Sequence, residues 1–318
     1  MTTSSSGSQS RAPKPLQTLS DWLRCPNCFQ DLVPHDERVL GCPAGHRFDL
    51  NRRGYASLLR GNTKLIGDSA AMLDARERFL AAGWYAPLLD ALTALVTTAA
   101  PRTVVDIGCG SGYYLGGILT GLARSRLEQS GLARSDSHAA TAPPLSALAV
   151  DLSPVAVART VRSAGTLARA WKPGSPALAV AGLVADVWSP LPIRDGAAEA
   201  LINVFAPRNP AEFHRILSPD GLLAVVVPHP THLQELRTAG LALGLHENKT
   251  EDLVASLSGR FTLESTQDIG SVLRLSQTDV LALLGMGPSS HHPAAADGAV
   301  GFPTDVTVAF RLLAFRRT

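Results

Sequence analysis

The segment RTVVDIGCGSGYYLGGIL, residues 102–119, determines the fold that we predict for this chain. A short β-branched run leads into alternating glycines, Gly108, Gly110 and Gly112, with Ser111 before the last, and a helical pattern follows. A strand, a glycine loop and a helix in this order cradle a nucleotide at the carboxyl end of the strand. The spacing differs from the dinucleotide fingerprint G-x-G-x-x-G, so it indicates a nucleotide ligand of another kind.

The ligand can be narrowed by Asp106, which lies two residues before the first glycine. A carboxylate at this place would repel a pyrophosphate, whereas it would favour a ligand that carries an ammonium and a sulfonium group. S-adenosylmethionine carries both groups. We therefore predict that it is the cofactor.

Polar residues also end the strands predicted next. The segment LSALAVDLSP reaches Asp151, predicted to hold the ribose hydroxyls, and ALAVAGLVADVW reaches Asp186, predicted to accept from the adenine amino group. AEALINVFAP carries Asn203. In open α/β folds the carboxyl ends of parallel strands form the ligand edge. Strands alternating with helical stretches predict an α/β, doubly wound, Rossmann-like sheet of the class I methyltransferase type, with DVTVAFRLLAFRR as a late, antiparallel edge strand.

Three regions are predicted along the chain. Residues 1–20 form a disordered tail, 21–64 a zinc-binding RNA-recognition module and 65–318 the S-adenosylmethionine-dependent methyltransferase domain. Within the last, residues 121–144 contain GLARS twice, which predicts a low-complexity insertion that enlarges a surface loop. Such an insertion costs little closure entropy.

The module is predicted from Cys25, Cys28, Cys42 and His46, spaced C-x2-C-x13-C-x3-H. Two knuckles of this kind are typical of a closed tetrahedral zinc site, which has a structural role because no coordination position is open. The alternative of a redox pair at Cys25 and Cys28 requires a βαβ context that the segment lacks. So small a module needs the metal for its stability, and we expect it to be a rigid appendage.

Bulk composition sets the remaining expectations. No apolar run reaches membrane-spanning length and the N-terminus lacks a secretory pattern, so we expect a cytoplasmic protein with no membrane partner. The formal net charge of +2 decides nothing about nucleic acid. Residues 46–64, however, combine five basic side chains with Phe48 and Tyr55, which suits contacts with RNA phosphates and stacking on bases. The alternative is a solvated face with two core aromatics.

Six blocks of sequence, in order, resemble the zinc-containing 23S rRNA (guanine-N1)-methyltransferases. They are CPNC, CPAGHRFDLNRRGYASLL, GDSAAMLDARERFLAAGWYAPL, VVDIGCGSGYY, NVFAPRNPAEFHRILSPDGLL and PHPTHLQEL. The resemblance implies methylation of guanine N1 in a 23S rRNA hairpin, resistance to tylosin- or mycinamicin-type macrolides in some members, and a homodimer. It also implies cofactor contacts at Tyr85, Gly110, Ser111 and His232.

The chemistry implied by the resemblance makes one demand on the site. Guanine N1 carries a proton at neutral pH, so a group must help to remove it, and a paired base must first be flipped out. Asp68 is a candidate base, with a helix N-cap as its alternative role, and Asn203 is a candidate for gripping the base edge. Competing functions are methylation of a small molecule or a protein, and RNA binding by a non-catalytic zinc ribbon.

Overall fold

The strand predicted before the glycine loop lies in the middle of a large sheet. The computed structural model describes residues 15–59, 65–132, 143–171, 175–244, 249–287 and 304–318. The strands in these ranges are β1 (Val33–Asp36), β2 (Val39–Gly41), β3 (Arg47–Asp49), β4 (Tyr55–Ser57), β5 (Thr103–Ile107), β6 (Leu145–Asp151), β7 (Leu178–Val184), β8 (Ala198–Val204), β9 (Leu217–Pro228), β10 (Phe261–Arg274) and β11 (Asp305–Arg317). The helices are α1 (Pro15–Trp22), α2 (Ala70–Ala81), α3 (Ala86–Ala99), α4 (Tyr113–Leu132), α5 (Pro154–Ala170), α6 (Pro210–Ile216), α7 (Gln234–Thr238), α8 (Lys249–Leu257) and α9 (Gln277–Gly285).

The large sheet has the order β10-β11-β9-β8-β5-β6-β7-β4. All pairs from β9 to β4 are parallel, and β11 is antiparallel to both its neighbours. The predicted doubly wound α/β sheet is therefore confirmed. Strand β11 is antiparallel as expected, but it lies inside the sheet because β10 pairs along its outer side. From β5 the chain continues through β6 and β7 on one side, and β8 and β9 lie on the other side. This change of direction places a crevice at the carboxyl end of β5.

Successive residues of each central strand face opposite sides of the sheet, as the period of two requires. Val104 packs with helices α2 to α5, α7 and α9 on the first face, whereas Val105 packs with α1, α6 and α8 on the second. Among the described residues no single helix is long and apolar enough to cross a membrane. Helices α2 and α3 reach that composition only when taken together, and they meet at 86°.

The cysteine-rich segment forms a small antiparallel sheet, β1-β2-β3. Its buried residues, among them Leu23, Leu32 and Leu40, belong to the same apolar cluster as Val105 and Leu148 of the large sheet. The chain passes from β7 to β8 without a helix, and the segment around Ile193 in this connection forms a bridge with Leu23. The ribbon thus covers the part of the second face that this connection leaves open.

Several predicted segments differ from the observed structure. Helix α1 contains residues from the end of the predicted tail 1–20, of which 1–14 lie outside the described residues. Helix α4 continues through 121–132, the first half of the predicted loop insertion, because Leu122 and Ala123 extend its buried stripe. Residues 133–142 lie outside the described residues.

The segment that follows the ribbon also differs from its prediction. Strand β4 lies within the predicted module 21–64, yet it pairs with β7 of the large sheet. Tyr55 is therefore buried in the core and cannot stack on RNA, while Arg52 and Arg53 are exposed. Arg60 and Lys64 lie outside the described residues.

Candidate active site and zinc centre

The glycine loop follows β5 directly, and its three glycines have φ values of +85°, +51° and +81° in chain order. Such values are costly for residues that carry a Cβ. A Cβ on Gly108 would also lie 2.3 Å from the Cβ of Ala206. The backbone N–H groups of Gly108 and Cys109 both donate to the carbonyl of Val150, at 2.8 and 3.0 Å. These bonds fix the loop against the end of β6.

Asp151 at the end of β6 is held by two backbone donors. Its Oδ2 accepts from the N–H of Gly110 at 3.0 Å and its Oδ1 from the N–H of Ser153 at 2.8 Å. Burial raises the pKa of this carboxyl group, although the two hydrogen bonds oppose the shift. A carboxylate oxygen accepts more than one hydrogen bond. Asp151 therefore keeps acceptor capacity for ligand hydroxyls.

Asp106 is almost fully buried beneath the loop, with 3% of its surface exposed. Burial, followed by the nearby Asp151, raises the pKa of its carboxyl group to about 8. A buried acid of this kind favours a cationic ligand, because a positive charge stabilises its ionised form. The site is thus electrostatically suited to an ammonium or sulfonium group.

Two more predicted site residues lie at the same edge of the sheet: Asp186 follows β7, and Asn203 lies near the end of β8. Asp186 is half-buried, and its carboxylate accepts from the N–H of Trp188 at 3.0 Å and from Ser189 Oγ at 3.3 Å. Asn203 is fully buried, and its Nδ2 donates to the carbonyls of Ile107 and Pro207 at 3.2 and 3.0 Å. Its Nδ2 thus ties the ends of β5 and β8 together, while its buried Oδ1 has no hydrogen-bond partner among the described residues.

An aromatic cluster lies beside the crevice. The ring of Phe310 is 4.7 Å from Tyr85, 4.8 Å from His232 and 5.4 Å from Phe205. Burial raises the pKa of Tyr85, and burial followed by the charge of Arg237 lowers the pKa of His232 to about 4. Nδ1 of His232 accepts from the N–H of Ala309 at 3.2 Å, so the proton of the neutral ring lies on Nε2.

The sequence did not indicate the role of Arg76, on helix α2. Its Nη1 forms an ion pair with Asp68 at 2.6 Å, and its Nη2 donates to the carbonyl of Met286 at 2.7 Å. A Cβ on Gly110 would lie 2.8 Å from the same Nη1. The N-cap of α2 is Ser69, so the alternative role of Asp68 as a helix cap is wrong. A signal in the sequence was available: Asp68 and Arg76 occur in one of the blocks that carry the resemblance.

A buried hydroxyl near the crevice also suggests that these residues fit S-adenosylmethionine. Among the described residues, the hydroxyl of Tyr114 is buried without a hydrogen-bond partner. Burial raises the pKa of this hydroxyl, and Tyr85, Asp106 and Arg76 are among the groups whose charges act on it. A buried polar group without a partner is costly, and a polar ligand would satisfy it. The crevice therefore combines acids, a cation and an unpaired hydroxyl around one glycine loop.

The predicted zinc ligands converge. All four ligand atoms of Cys25, Cys28, Cys42 and His46 lie within 4.8 Å of one another. The Sγ atoms of Cys28 and Cys42 are 3.5 Å apart, and Nδ1 of His46 lies 3.6 Å from Cys25 Sγ and 3.3 Å from Cys42 Sγ. A tetrahedral zinc ion with ordinary bond lengths separates its ligand atoms by roughly 3.5–3.8 Å.

The electrostatics of the ligand set also suit a metal. Burial raises the pKa of the Cys42 thiol, but hydrogen bonds, of which the one from His46 is the largest, outweigh burial. Together they lower this pKa to about 6. A thiolate is the form that binds zinc. Three sulfurs and one imidazole complete a closed coordination shell, so the centre is a structural zinc site.

A doubly wound sheet with this strand order, a glycine loop after its first central strand and acids at the ends of β5, β6 and β7 defines the class I methyltransferases that use S-adenosylmethionine. The ribbon narrows the class. The zinc-ribbon family described as RlmA, N-terminal, matches residues 23–65. The chain belongs to the family of 23S rRNA (guanine-N1)-methyltransferases and is an enzyme.

Family membership follows from two relatives. A Micromonospora griseorubida protein named among the 23S rRNA (guanine-N(1)-)-methyltransferases is 36% identical over 92% of this chain and 97% of its own length. The 23S rRNA (guanine(748)-N(1))-methyltransferase of Streptomyces fradiae is 38% identical over 85% of this chain and 86% of its own length. A solved structure, the N-methyltransferase NodS from Bradyrhizobium japonicum WM9 with S-adenosyl-l-homocysteine, has a TM-score of 0.37 at 13% identity, covering 76% of this chain and 86% of that chain.

Proposed function

We propose that the chain transfers a methyl group from S-adenosylmethionine to N1 of a guanine in 23S rRNA. The observation that carries the proposal is the family membership, which extends over most of the chain and includes both the ribbon and the sheet. When bound, the cofactor supplies an electrophilic methyl group on a positively charged sulfur. The residues of the chain must orient it, exclude water and manage one proton.

The cofactor contacts are assigned by the acceptor capacity of each acid. Asp151, already fixed by two backbone N–H groups, takes the ribose hydroxyls with its remaining lone pairs. Asp186 takes the adenine amino group, and Asp106 faces the ammonium group. The glycine loop, Gly108 to Gly112, and its Ser111 lie against the cofactor. Tyr85 and His232 complete the site from the aromatic cluster, with the neutral ring of His232 as a donor through Nε2.

Removal of the guanine N1 proton falls to Asp68. Its carboxylate lies at the glycine loop through its ion pair with Arg76, and its backbone carbonyl accepts from Ser153 Oγ at 2.8 Å. Asp68 is thus held between α2 and the start of α5. Asn203 remains the candidate for gripping the base edge: its Nδ2 is engaged by two carbonyls, which fixes the side chain, and its unpartnered Oδ1 is left to accept a hydrogen bond from the guanine.

The RNA partner is recognised by the ribbon and by the segment that follows it. Exposed Arg52 and Arg53 provide phosphate contacts, and Phe48, which packs against the apolar cluster of the ribbon and the sheet, keeps part of its ring exposed. The rRNA element is a hairpin, and a guanine within it must be flipped to reach the crevice. A homodimer, a cytoplasmic location and protection against tylosin- or mycinamicin-type macrolides complete the proposal.

The test uses 23S rRNA from matched strains with and without this gene, with primer extension and mass mapping of nucleosides. The expected result is a guanine methylated at N1 in the strain that carries the gene, and loss of that methyl group when Asp106→Asn replaces the wild type. Unmodified 23S rRNA in both strains, with methyl transfer to a small molecule or protein in vitro, would overturn the rRNA assignment. Macrolide inhibition curves of the same strains test resistance. The molar mass of the purified protein, measured by light scattering, tests the dimer.

A further inference from the structure

The proposed cofactor presents a charge that the acids of the crevice cannot satisfy. Asp106, Asp151 and Asp186 suit its ammonium group, its hydroxyls and its adenine amino group. Its amino-acid moiety also carries a carboxylate, which requires a cation or several hydrogen-bond donors. Among the described residues, the cationic side chain against the glycine loop is Arg76, which lies over Gly110.

The position of Arg76 is fixed from two sides. Its Nη2 donates to the carbonyl of Met286 at the end of α9, and its Nη1 pairs with Asp68. The first bond anchors the guanidinium on neutral backbone, whereas the second engages Nη1 with a carboxylate of the chain. A ligand carboxylate at the loop would present the same chemical group to the same nitrogen.

A second, independent observation lies on helix α4. The buried hydroxyl of Tyr114 has no hydrogen-bond partner among the described residues, and Arg76 and Asp106 both act on it electrostatically. A phenol hydroxyl can donate one hydrogen bond to a carboxylate, although a weaker one than a guanidinium donates. The region therefore offers one donor without a partner, the hydroxyl of Tyr114, and one donor at Gly110 whose carboxylate partner can be exchanged, Arg76.

Resting on the proposed function, we propose that Arg76 and Tyr114 bind the carboxylate of the S-adenosylmethionine amino-acid moiety, and that Asp68 holds Arg76 until the cofactor arrives. Binding then transfers the guanidinium from Asp68 to the cofactor. Asp68 is released as a free carboxylate beside the crevice. The base that removes the guanine proton thereby becomes available only when the methyl donor is in place.

The test measures binding by titration calorimetry of the full chain with S-adenosylmethionine and with decarboxylated S-adenosylmethionine. The wild type is expected to bind the first about 10- to 100-fold more tightly, the range of a hydrogen bond to a charged group. Arg76→Met should lose most of this preference, keeping only the part contributed by Tyr114, and should keep its affinity for the decarboxylated ligand. Arg78→Met, an exposed arginine on the same helix, is the matched control and should keep the preference.

Two further variants test the remaining parts. Tyr114→Phe should reduce the preference by about threefold to tenfold, since one neutral donor is lost. Asp68→Asn should bind S-adenosylmethionine at least as tightly as the wild type, because the competing carboxylate is gone. Tenfold weaker binding by Asp68→Asn would overturn its role as a placeholder.

The failures of the two proposals are distinguishable. Equal affinity of the wild type for the two ligands, or an undiminished preference in Arg76→Met, would overturn the carboxylate site alone. Absence of S-adenosylmethionine binding by the wild type would overturn the proposed function and this inference with it. Should Arg76→Met fail to fold in thermal unfolding, Arg76→Lys replaces it, with a reduced preference supporting the site and an unchanged preference overturning it.

Discussion

Replacement of Asp106 by asparagine should stabilise the protein while removing its cofactor affinity. The pKa of Asp106 is about 8 in the folded chain against an ordinary value of 3.8. Between these values the folded protein keeps a proton that the unfolded chain has released, so the free energy of unfolding falls as the pH rises through this window. At pH 7 the loss relative to acid is on the order of 4 kcal/mol, at about 1.4 kcal/mol for each pKa unit.

Asparagine stays neutral at every pH and so escapes this loss. For a chain of 318 residues, a gain of this size raises the melting temperature by about 6 °C. The gain should shrink to roughly 1 to 2 kcal/mol near pH 5, because pH 5 lies only about one unit above the ordinary pKa and the loss of stability accumulates from that pKa upward. The assay is thermal unfolding of both proteins at about pH 5, 7 and 8.5, each with and without S-adenosylmethionine.

Addition of S-adenosylmethionine should raise the melting temperature of the wild type and leave that of Asp106→Asn unchanged. Asp305→Asn, which replaces an exposed carboxylate at the start of β11, is the control and should behave as the wild type. A variant that is no more stable than the wild type at pH 8.5, or that responds equally to the cofactor, would refute the reasoning.

Three further outcomes are expected. Cys25→Ser should lose zinc, as measured by atomic spectroscopy. Its melting temperature should fall by on the order of 10 °C, because structural zinc contributes directly to folding. A zinc-free variant that melts at the temperature of the wild type would contradict a core shared by the ribbon and the large sheet. Gly108→Ala should lose S-adenosylmethionine binding in calorimetry. Gly240→Ala is the control: it has a φ of +71° and open space around the added Cβ, so it should lose only about 1 kcal/mol of stability to backbone strain. Equal effects of the two substitutions would show that the contact with Ala206 is not the cause. Arg52→Ala should reduce the salt dependence of rRNA-fragment binding by about one phosphate contact, and an unchanged slope would remove Arg52 from the interface.

The strands and their polar ends were predictable because local signals agreed. Short apolar runs that end at Asp106 and Asp151 indicate buried strands, and the glycine loop indicates where the carboxyl edge of the sheet lies. Likewise, the two cysteine knuckles gave the metal site because short spacings leave little conformational choice. Helix α5 begins at Pro154 after the Ser153 cap, which is the order of residues that typically starts a helix.

What the sequence could not show depends on tertiary contacts. Nothing local to Arg76 indicates that its side chain spans from the carbonyl of Met286 to the glycine loop, since these groups are far apart in the chain. Tyr55 reads as an exposed aromatic among basic residues, but β4 pairs with β7 and buries it. Strand β10 was missed because an edge strand exposed on most of its length lacks the alternating pattern that a half-buried strand shows.

The packing of Leu23, Leu32 and Leu40 against the second face of the large sheet has a physiological consequence. Because Val105 of β5 and Leu148 of β6 belong to the same cluster, we expect loss of the ion to loosen the support beneath both strands and to weaken the methyl-donor site. A growing cell that runs short of zinc would leave newly made ribosomes unmodified. The fraction of rRNA bearing the mark would then follow the metal supply.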